Sequence, residues 1–370
     1  MHKIPELPLK QDVETKAVLK QLVQSHRRLA ELKGVVRSMP RPSILINTLS
    51  LQEAKDSSAV ESIITTHDEL FKAELFVKQY VSPASKEVQS YAEALKKGID
   101  AVQKNKLLTN NTIIEVYQSI KHNTSGFRTT PGTTLKNDQT GAIVFEPPQN
   151  YDEIVKSMTN LELFINDDSV SDLDPLIKMA IIHHQFESIR PFSDGNGRTG
   201  RIINILYLVG KDLLDLPVLY LSRYIIKNKN EYYHLLQAVR DDNQWEAWIL
   251  FMLKGLEETA LETIVLVDGI KRLMAEYKSE IRSQFPKIYS QDLLNNLFKH
   301  PYTKIDFLCS DLNITRPTAA VYLSKLENKF VKKVKLGRDN FYLNTRLFDL
   351  LIDAFHLEGD KVAVSIESVG

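Results

Sequence analysis

The stretch HHQFESIRPFSDGNGRTGR, residues 183–201, constrains this chain more than any other, because one apolar helix must stop and another begin within it. The helix PLIKMAIIHHQFESI runs into Pro191, whose ring and missing N–H cannot continue it. A loop with Asp194, Gly195 and Gly197 follows, and RTGRIINILYLVG starts the next helix. Glycines at a helix N-terminus let backbone N–H groups approach an anion, and the helix dipole favours negative charge there. Arg198 and Arg201, three apart, share a face of the first turn, and paired guanidinium groups suit the oxygens of a polyphosphate. Asp194 at the mouth can hold a Mg²⁺ that bridges two phosphates, and Asn196 adds an amide donor. A lone G-x-G would be read as a turn beside a solvated arginine face. Asp, Gly, Asn, Gly, Arg and Arg in this order and spacing point instead to a nucleotide phosphate cradle.

Composition narrows the class. Over 370 residues, 47 basic side chains balance 47 acidic ones, so no global field draws the chain onto nucleic acid. The 43% hydrophobic and 25% charged fractions are globular values and exclude wholesale disorder, and the length predicts two or three domains. No apolar run approaches the ~20 residues of a membrane span, the N-terminal MHKIPELPLKQDVETK lacks the apolar core of a signal peptide, and Cys309 is the single cysteine. A soluble, cytoplasmic protein without disulfides or a cysteine zinc site is expected, with no membrane partner.

Helical periodicity is expected from about Leu51 to Lys121, carried by Leu70, Phe71, Leu75 and Phe76, then by Tyr91, Leu95 and Ile99. The segment from Gly126 to Asn150 carries three Gly, three Pro and the run Ala142-Ile143-Val144-Phe145, which predicts a hairpin. Helices resume at Tyr151–Ile165, at Pro175–Ile189 and after Arg201, and a long one between Gly255 and Phe285 is stopped by Pro286. From Ile288 to Leu351 the pattern is three helices and a two-stranded ribbon turning at Gly337.

PFSDGNGRTGR resembles the signature of the Fic family, H-x-F-x-[D/E]-G-N-G-R-x-x-R, at Phe192, Asp194, Gly195, Asn196, Gly197, Arg198 and Arg201. The core from Leu107 to Glu258 is similar to Fic domains throughout. GAIVFEPP resembles the substrate flap, and EYYHLLQAVRDDNQWEAWILFML the closing helices. The resemblance implies an all-α fold: an N-terminal helical region over 1–106, a Fic core with a β-hairpin flap over 107–258, a connecting helix over 259–287 and a winged-helix domain with its tail over 288–370. It implies transfer of AMP from ATP, with Mg²⁺, to a hydroxyl of a target protein. Asp194 would hold the metal. Gly195, Asn196, Gly197 and Arg198 would bind the α and β phosphates, Thr199 and Gly200 would complete the ATP site, and Arg201 would take the γ phosphate. Tyr232 and Tyr233 fall where the family packs aromatics near the nucleotide, although their spacing equally suits a helix-face core. Ile143, Val144 and Phe145 would pair with the target's backbone as an added strand. The cradle does not read the base, so transfer of another nucleotide moiety stays open.

Two positions bear on activity. The family's histidine, which takes the proton from the attacking hydroxyl, is replaced by Arg190. An arginine stays protonated and cannot act as a general base. His183 and His184 lie about two helical turns away and are expected to pack in the helix. Upstream, Ser57-Ser58-Ala59-Val60-Glu61-Ser62 resembles the family's inhibitory motif, [S/T]-x-x-x-E-[G/N], with Ser62 in place of the usual last residue. By that resemblance Glu61 would pair with Arg201 and compete with the γ phosphate.

The C-terminal module resembles a winged helix, TKIDFLCSDLN and TRPTAAVYLSKLENKF being its helix pair. Between Arg316 and Arg338, seven basic residues face one acid, Glu327. DNA binding is one expectation. The absence of a base-reading Asn or Gln in the first turn of the second helix, and the neutral whole, favour a protein contact. The N-terminal helices are compatible with a homodimer. The rival to a transferase is a nucleotide-binding regulator that acts through the winged helix.

Overall fold

The computed structural model describes residues 4–39, 41–66, 69–70, 82–136, 141–299, 301–336 and 339–355, and the chain divides into two units. Phe71, Leu75, Phe76, Gly337 and Arg338 lie outside the described residues.

The first unit holds the residues up to Ser38 and Leu45–Thr263. Its helices are α1 (Lys16–Arg37), α2 (Ser43–Val60), α3 (Pro83–Asn105) and α4 (Asn110–Lys121). A hairpin of β1 (Leu135–Lys136) and β2 (Ile143–Phe145) follows, antiparallel with Leu135 opposite Phe145. After it come α5 (Tyr151–Asn166), α6 (Pro175–Ile189), α7 (Asn196–Gly210), α8 (Leu221–Lys227), α9 (Lys229–Asp242) and the start of the 40-residue α10 (Trp245–Gln284).

The core is the α6–α7 pair. Every residue from Leu176 to Ile189 and from Asn196 to Val209 is buried. A helix apolar on all sides has to be enclosed, and α7 packs on α6, α3 and α4 while α5 covers α6. Local chemistry sets the starts. Asp174 caps α6 by accepting from the Leu176 N–H, and Pro175 occupies the position where no N–H is needed. Ser82 and Pro83 do the same for α3.

The second unit, Met39–Ile44 with Ile264 onward, holds the rest of α10, then α11 (Gln291–Lys299), β3 (Tyr302–Thr303), α12 (Ile305–Leu312), α13 (Arg316–Leu326), β4 (Lys332–Leu336), β5 (Asp339–Leu343) and α14 (Thr345–Phe355). Three helices and a ribbon stand as expected, and β3 joins the ribbon in the sheet order β3-β5-β4. Two features were not foreseen: β3, which at two residues leaves no periodic signal, and α14. Tyr277 ties this core together, its hydroxyl 2.7 Å from Asn344 Oδ1 and 3.1 Å from the Phe330 carbonyl, either of which can accept its single proton. Arg316, Lys325, Lys329, Lys332, Lys333 and Lys335 are all exposed.

Candidate active site

The loop between α6 and α7 is held by its own residues. Arg190 ends α6 in the left-handed region, with φ 44°, and Pro191 blocks continuation. The Asn196 side chain closes the loop, accepting from the Phe192 N–H at 2.9 Å and donating to the Phe192 carbonyl at 2.7 Å. Phe192 stacks on Tyr117 of α4 with centroids 3.8 Å apart. The Asn196 amide is therefore spent on the loop instead of serving as a free donor, which leaves its backbone N–H for a ligand. Gly195, at φ 75°, is the N-cap of α7, so no side chain caps the first-turn N–H groups.

Arg198 and Arg201 are 3% and 2% exposed, so the solvated-arginine alternative is wrong. Arg201 donates through Nε to Ser57 Oγ at 2.8 Å, and through Nη2 to the Ser57 carbonyl at 2.9 Å and to Glu61 Oε1 at 3.0 Å. Burial works against the charge of Glu61, but Arg201 outweighs it and holds the carboxyl below its usual range. In return, against burial, Glu61 pushes the Arg201 guanidinium up. Ser62, directly after Glu61, sits at φ 63°. Glycine and asparagine adopt that left-handed conformation most readily, and Ser62 adopts it here.

The Glu61 carboxylate lies over Gly197, where a Cβ would sit closer to Oε1 than any real Cβ contact allows. It therefore covers the first turn of α7. Arg198 pairs with Glu87 of α3. Asp194 accepts from Lys121 Nζ at 2.7 Å on Oδ2 and from the Gly195 N–H at 2.7 Å on Oδ1. Partial burial raises the Asp194 carboxyl, and those two donors bring it below the usual range. Each charged residue of the loop thus has an internal counter-charge. Thr199 donates to the Gly195 carbonyl at 3.0 Å and steadies the turn, and Gly200 lies against Glu187 and Phe186 where a Cβ would clash.

Arg190 lies 3.6 Å from Glu187 Oε2, and its carbonyl accepts from Arg128 Nε at 2.9 Å. Glu187 is buried, which raises its carboxyl, and its Oε1 makes no hydrogen bond. His183 and His184 are buried as expected. His183 Nε2 lies 2.8 Å from the Tyr232 hydroxyl and His184 Nε2 3.1 Å from the Leu236 carbonyl, and burial depresses His183 to about 3. Tyr232 is therefore a core residue, while Tyr233, edge-on to it at 5.1 Å, is 45% exposed. The flap divides too. Ile143 and Val144 are exposed, whereas Phe145 is buried under the Arg240 guanidinium at 4.1 Å and offers no side chain to a partner.

The residues present fit a nucleotide with Mg²⁺. Asp194 is one exposed carboxylate beside a helix N-terminus, and Mg²⁺ commonly combines one or two carboxylates with substrate phosphates and water. Among the described residues no group of three or more His, Cys, Asp or Glu gathers to hold an ion by protein ligands alone. Lys121, Glu87, Glu187 and Arg128 were missed from sequence. Each is a single charged residue on a helix or loop, with no local pattern to mark it.

Residues 19–100 match the N-terminal domain of the Fic/DOC family, 107–208 match the Fic/DOC family itself, and 273–347 match the C-terminal domain described as protein adenylyltransferase SoFic-like. The chain belongs to the Fic/DOC family. It is similar to protein adenylyltransferase fic-1 of Caenorhabditis elegans, 32% identical over 56 residues, which is 15% of this chain and 11% of that protein. It is also similar to protein adenylyltransferase Fic of Drosophila erecta, 27% identical over 96 residues, 25% of this chain and 18% of that protein. The matches thus span from 11% to 18% of these curated relatives. Among solved structures, a Fic family protein from Desulfovibrio desulfuricans aligns with TM-score 0.57 and 17% identity over 89% of this chain and 96% of its own. Fic-1 from C. elegans aligns with TM-score 0.52 and 18% identity over 68% and 73%. The fold is the all-α Fic fold with a small antiparallel flap.

Proposed function

We propose that the chain is a protein adenylyltransferase of the Fic type, autoinhibited by Glu61 and impaired in transfer by Arg190. The observation that carries this is Glu61 seated on Gly197 and Arg201, a carboxylate on the surface where a terminal phosphate would lie. The names of the relatives support the adenylyltransferase part of this reading.

In the proposed reaction the target hydroxyl oxygen attacks the α phosphorus of ATP. The bond from that phosphorus to the bridging oxygen breaks, pyrophosphate leaves, and AMP stays on the target. Bound Mg²⁺, held through Asp194, would offset phosphate charge. Arg198, Arg201 and the first-turn N–H groups of α7, from Asn196 onward, would bind and align the chain of phosphates. Ile143 and Val144 would present the flap edge to the target. The hydroxyl proton has no acceptor at position 190, because arginine remains charged, and loss of a positioned base costs about 10²- to 10⁴-fold. Soluble, cytoplasmic placement belongs to this reading, and no helix among the described residues is long and apolar enough to cross a membrane. Homodimerisation and DNA contact through the basic C-terminal face are not needed by it.

The second reading, a nucleotide-binding regulator without transfer, is favoured by the same Arg190, with His183 and His184 buried elsewhere. Self-modification with α-labelled ATP and Mg²⁺ decides, comparing Glu61→Gly with Glu61→Gly plus Arg190→His. Label in the double variant alone supports the transferase. Label in neither, with ATP still bound, supports the regulator.

A further inference from the structure

We infer that Lys121 is a phosphate-binding residue of this site, its ammonium carrying part of the charge compensation that a divalent cation would otherwise supply; this rests on the nucleotide reading above. Lys121 and Tyr117 are four apart and share one face of α4. Tyr117 stacks on Phe192 at 3.8 Å, which fixes that face to the loop, and one turn on the lysine stem crosses Gly195, with Cδ 3.4 Å from where a Cβ would stand. The ammonium then reaches Asp194 Oδ2 at 2.7 Å. A helix-terminal lysine is often only a complement to the dipole. Here the lysine side chain is 23% exposed while its carboxylate is 70% exposed. A pair of that kind gains little by itself, and it leaves two ammonium donors at the mouth of the cradle.

The charges about the cradle are four cations, Lys121, Arg190, Arg198 and Arg201, against Asp194, Glu187, Glu87 and Glu61. An arriving triphosphate displaces Glu61 from Arg201 and competes with Glu87 for Arg198, whose Nε makes no hydrogen bond. Lys121 needs no displacement. With Asp194 on one donor, two remain at the ammonium for the phosphate oxygens of an arriving nucleotide. A Mg²⁺ on Asp194 meets like charge from Lys121, so its contribution to nucleotide affinity is reduced.

The test is calorimetric titration of the full-length Glu61→Gly protein with ATP and with inorganic triphosphate, each in Mg²⁺ and in EDTA, and of the same protein carrying Lys121→Met or Lys121→Arg. In EDTA, Lys121→Met is expected to weaken binding by about tenfold to a hundredfold, the value of one charge-assisted hydrogen bond. In Mg²⁺ the loss is expected to be under about threefold, because the ion takes over the neutralisation. Lys121→Arg should retain most of the EDTA affinity. ATP binding in EDTA that is indifferent to Lys121→Met, or tightened by it, overturns the inference and leaves the nucleotide site standing. Triphosphate binding that needs Lys121, with no ATP binding, upholds the lysine and overturns the ATP reading. No binding of either probe under any condition overturns both.

Discussion

Glu61→Gly probes the cradle from within. The substitution removes a carboxylate that holds Arg201 Nη2 at 3.0 Å and lies on the first turn of α7. On the proposed reading, a phosphate must first break that ion pair in the wild-type protein. Glu61 keeps 36% of its side-chain surface, so full buried-pair values do not apply. A hydrogen bond between charged groups contributes about 1.5–3 kcal/mol net, so ATP affinity should rise by about ten- to a hundredfold. Arg201 keeps both bonds to Ser57 but loses its counter-charge, so the ligand-free variant should be less stable by about 1–3 kcal/mol. Saturating ATP should recover that loss, because it binds the native state alone. Calorimetry gives the affinity, and thermal melts with and without ATP give the stability. Unchanged ATP affinity would refute the competition, whatever the melt shows. Glu61→Gln, with the shape kept and the charge gone, should fall between the two.

Gly197→Ala should cost about 1–2 kcal/mol by displacing the Glu61 carboxylate, and clearly less in a Glu61→Gly background; equal costs in thermal denaturation would show that the two do not touch. Arg201→Ala should abolish ATP binding and lower the melting temperature while leaving helicity at room temperature, since Arg201 also joins α7 to α2; wild-type ATP affinity by calorimetry would remove it from the phosphate site. Glu53, buried on α2, bonded to the Ser222 N–H at 3.2 Å and to the Tyr91 hydroxyl at 3.1 Å, is pushed by burial up to about 7. The unfolded carboxyl ionises near its ordinary value while the folded one stays protonated, so its contribution is full below pH ~4.5 and lost as pH rises to about 7. Glu53→Gln should remove a fall on the order of 3 kcal/mol from the denaturant-derived stability between those pH values, with the effects of Asp56 and Glu187, both also raised by burial, remaining; an unaltered pH profile would place Glu53 in its ordinary range.

What the sequence revealed of the site was what lies close together along the chain. The loop could be read because Pro191, Gly195 and Gly197 have backbone requirements that the structure shows to be real, φ 75° at Gly195 and the close approach of the Glu61 carboxylate at Gly197. Glu61 could be read because its partner, Arg201, stood in a motif. Lys121 and Glu87 could not, because α4 and α3 bring them to the loop through packing alone. Within the region over 1–106 expected to be helical, the bounds of the helix Lys16–Arg37 went unread, although Thr15 caps it through the Val18 N–H. Gly255 looked like the start of a connecting segment. It lies inside α10, where a Cβ would stand 2.6 Å from the Tyr224 ring, so that glycine serves close packing within an unbroken helix. Phe145 shows the limit of a motif: resemblance marked the strand, but only packing under Arg240 shows which side chains face out.

The central claim, an AMP-transfer site covered by Glu61 and disabled at position 190, is tested most directly by the Glu61→Gly, Arg190→His protein in parallel incubations with α-labelled and γ-labelled ATP. The account predicts covalent label from the α position and none from the γ position, and no label on Glu61→Gly alone above about a hundredth of that level. Retention of γ label, or no label from either nucleotide on a protein that binds ATP, would contradict it.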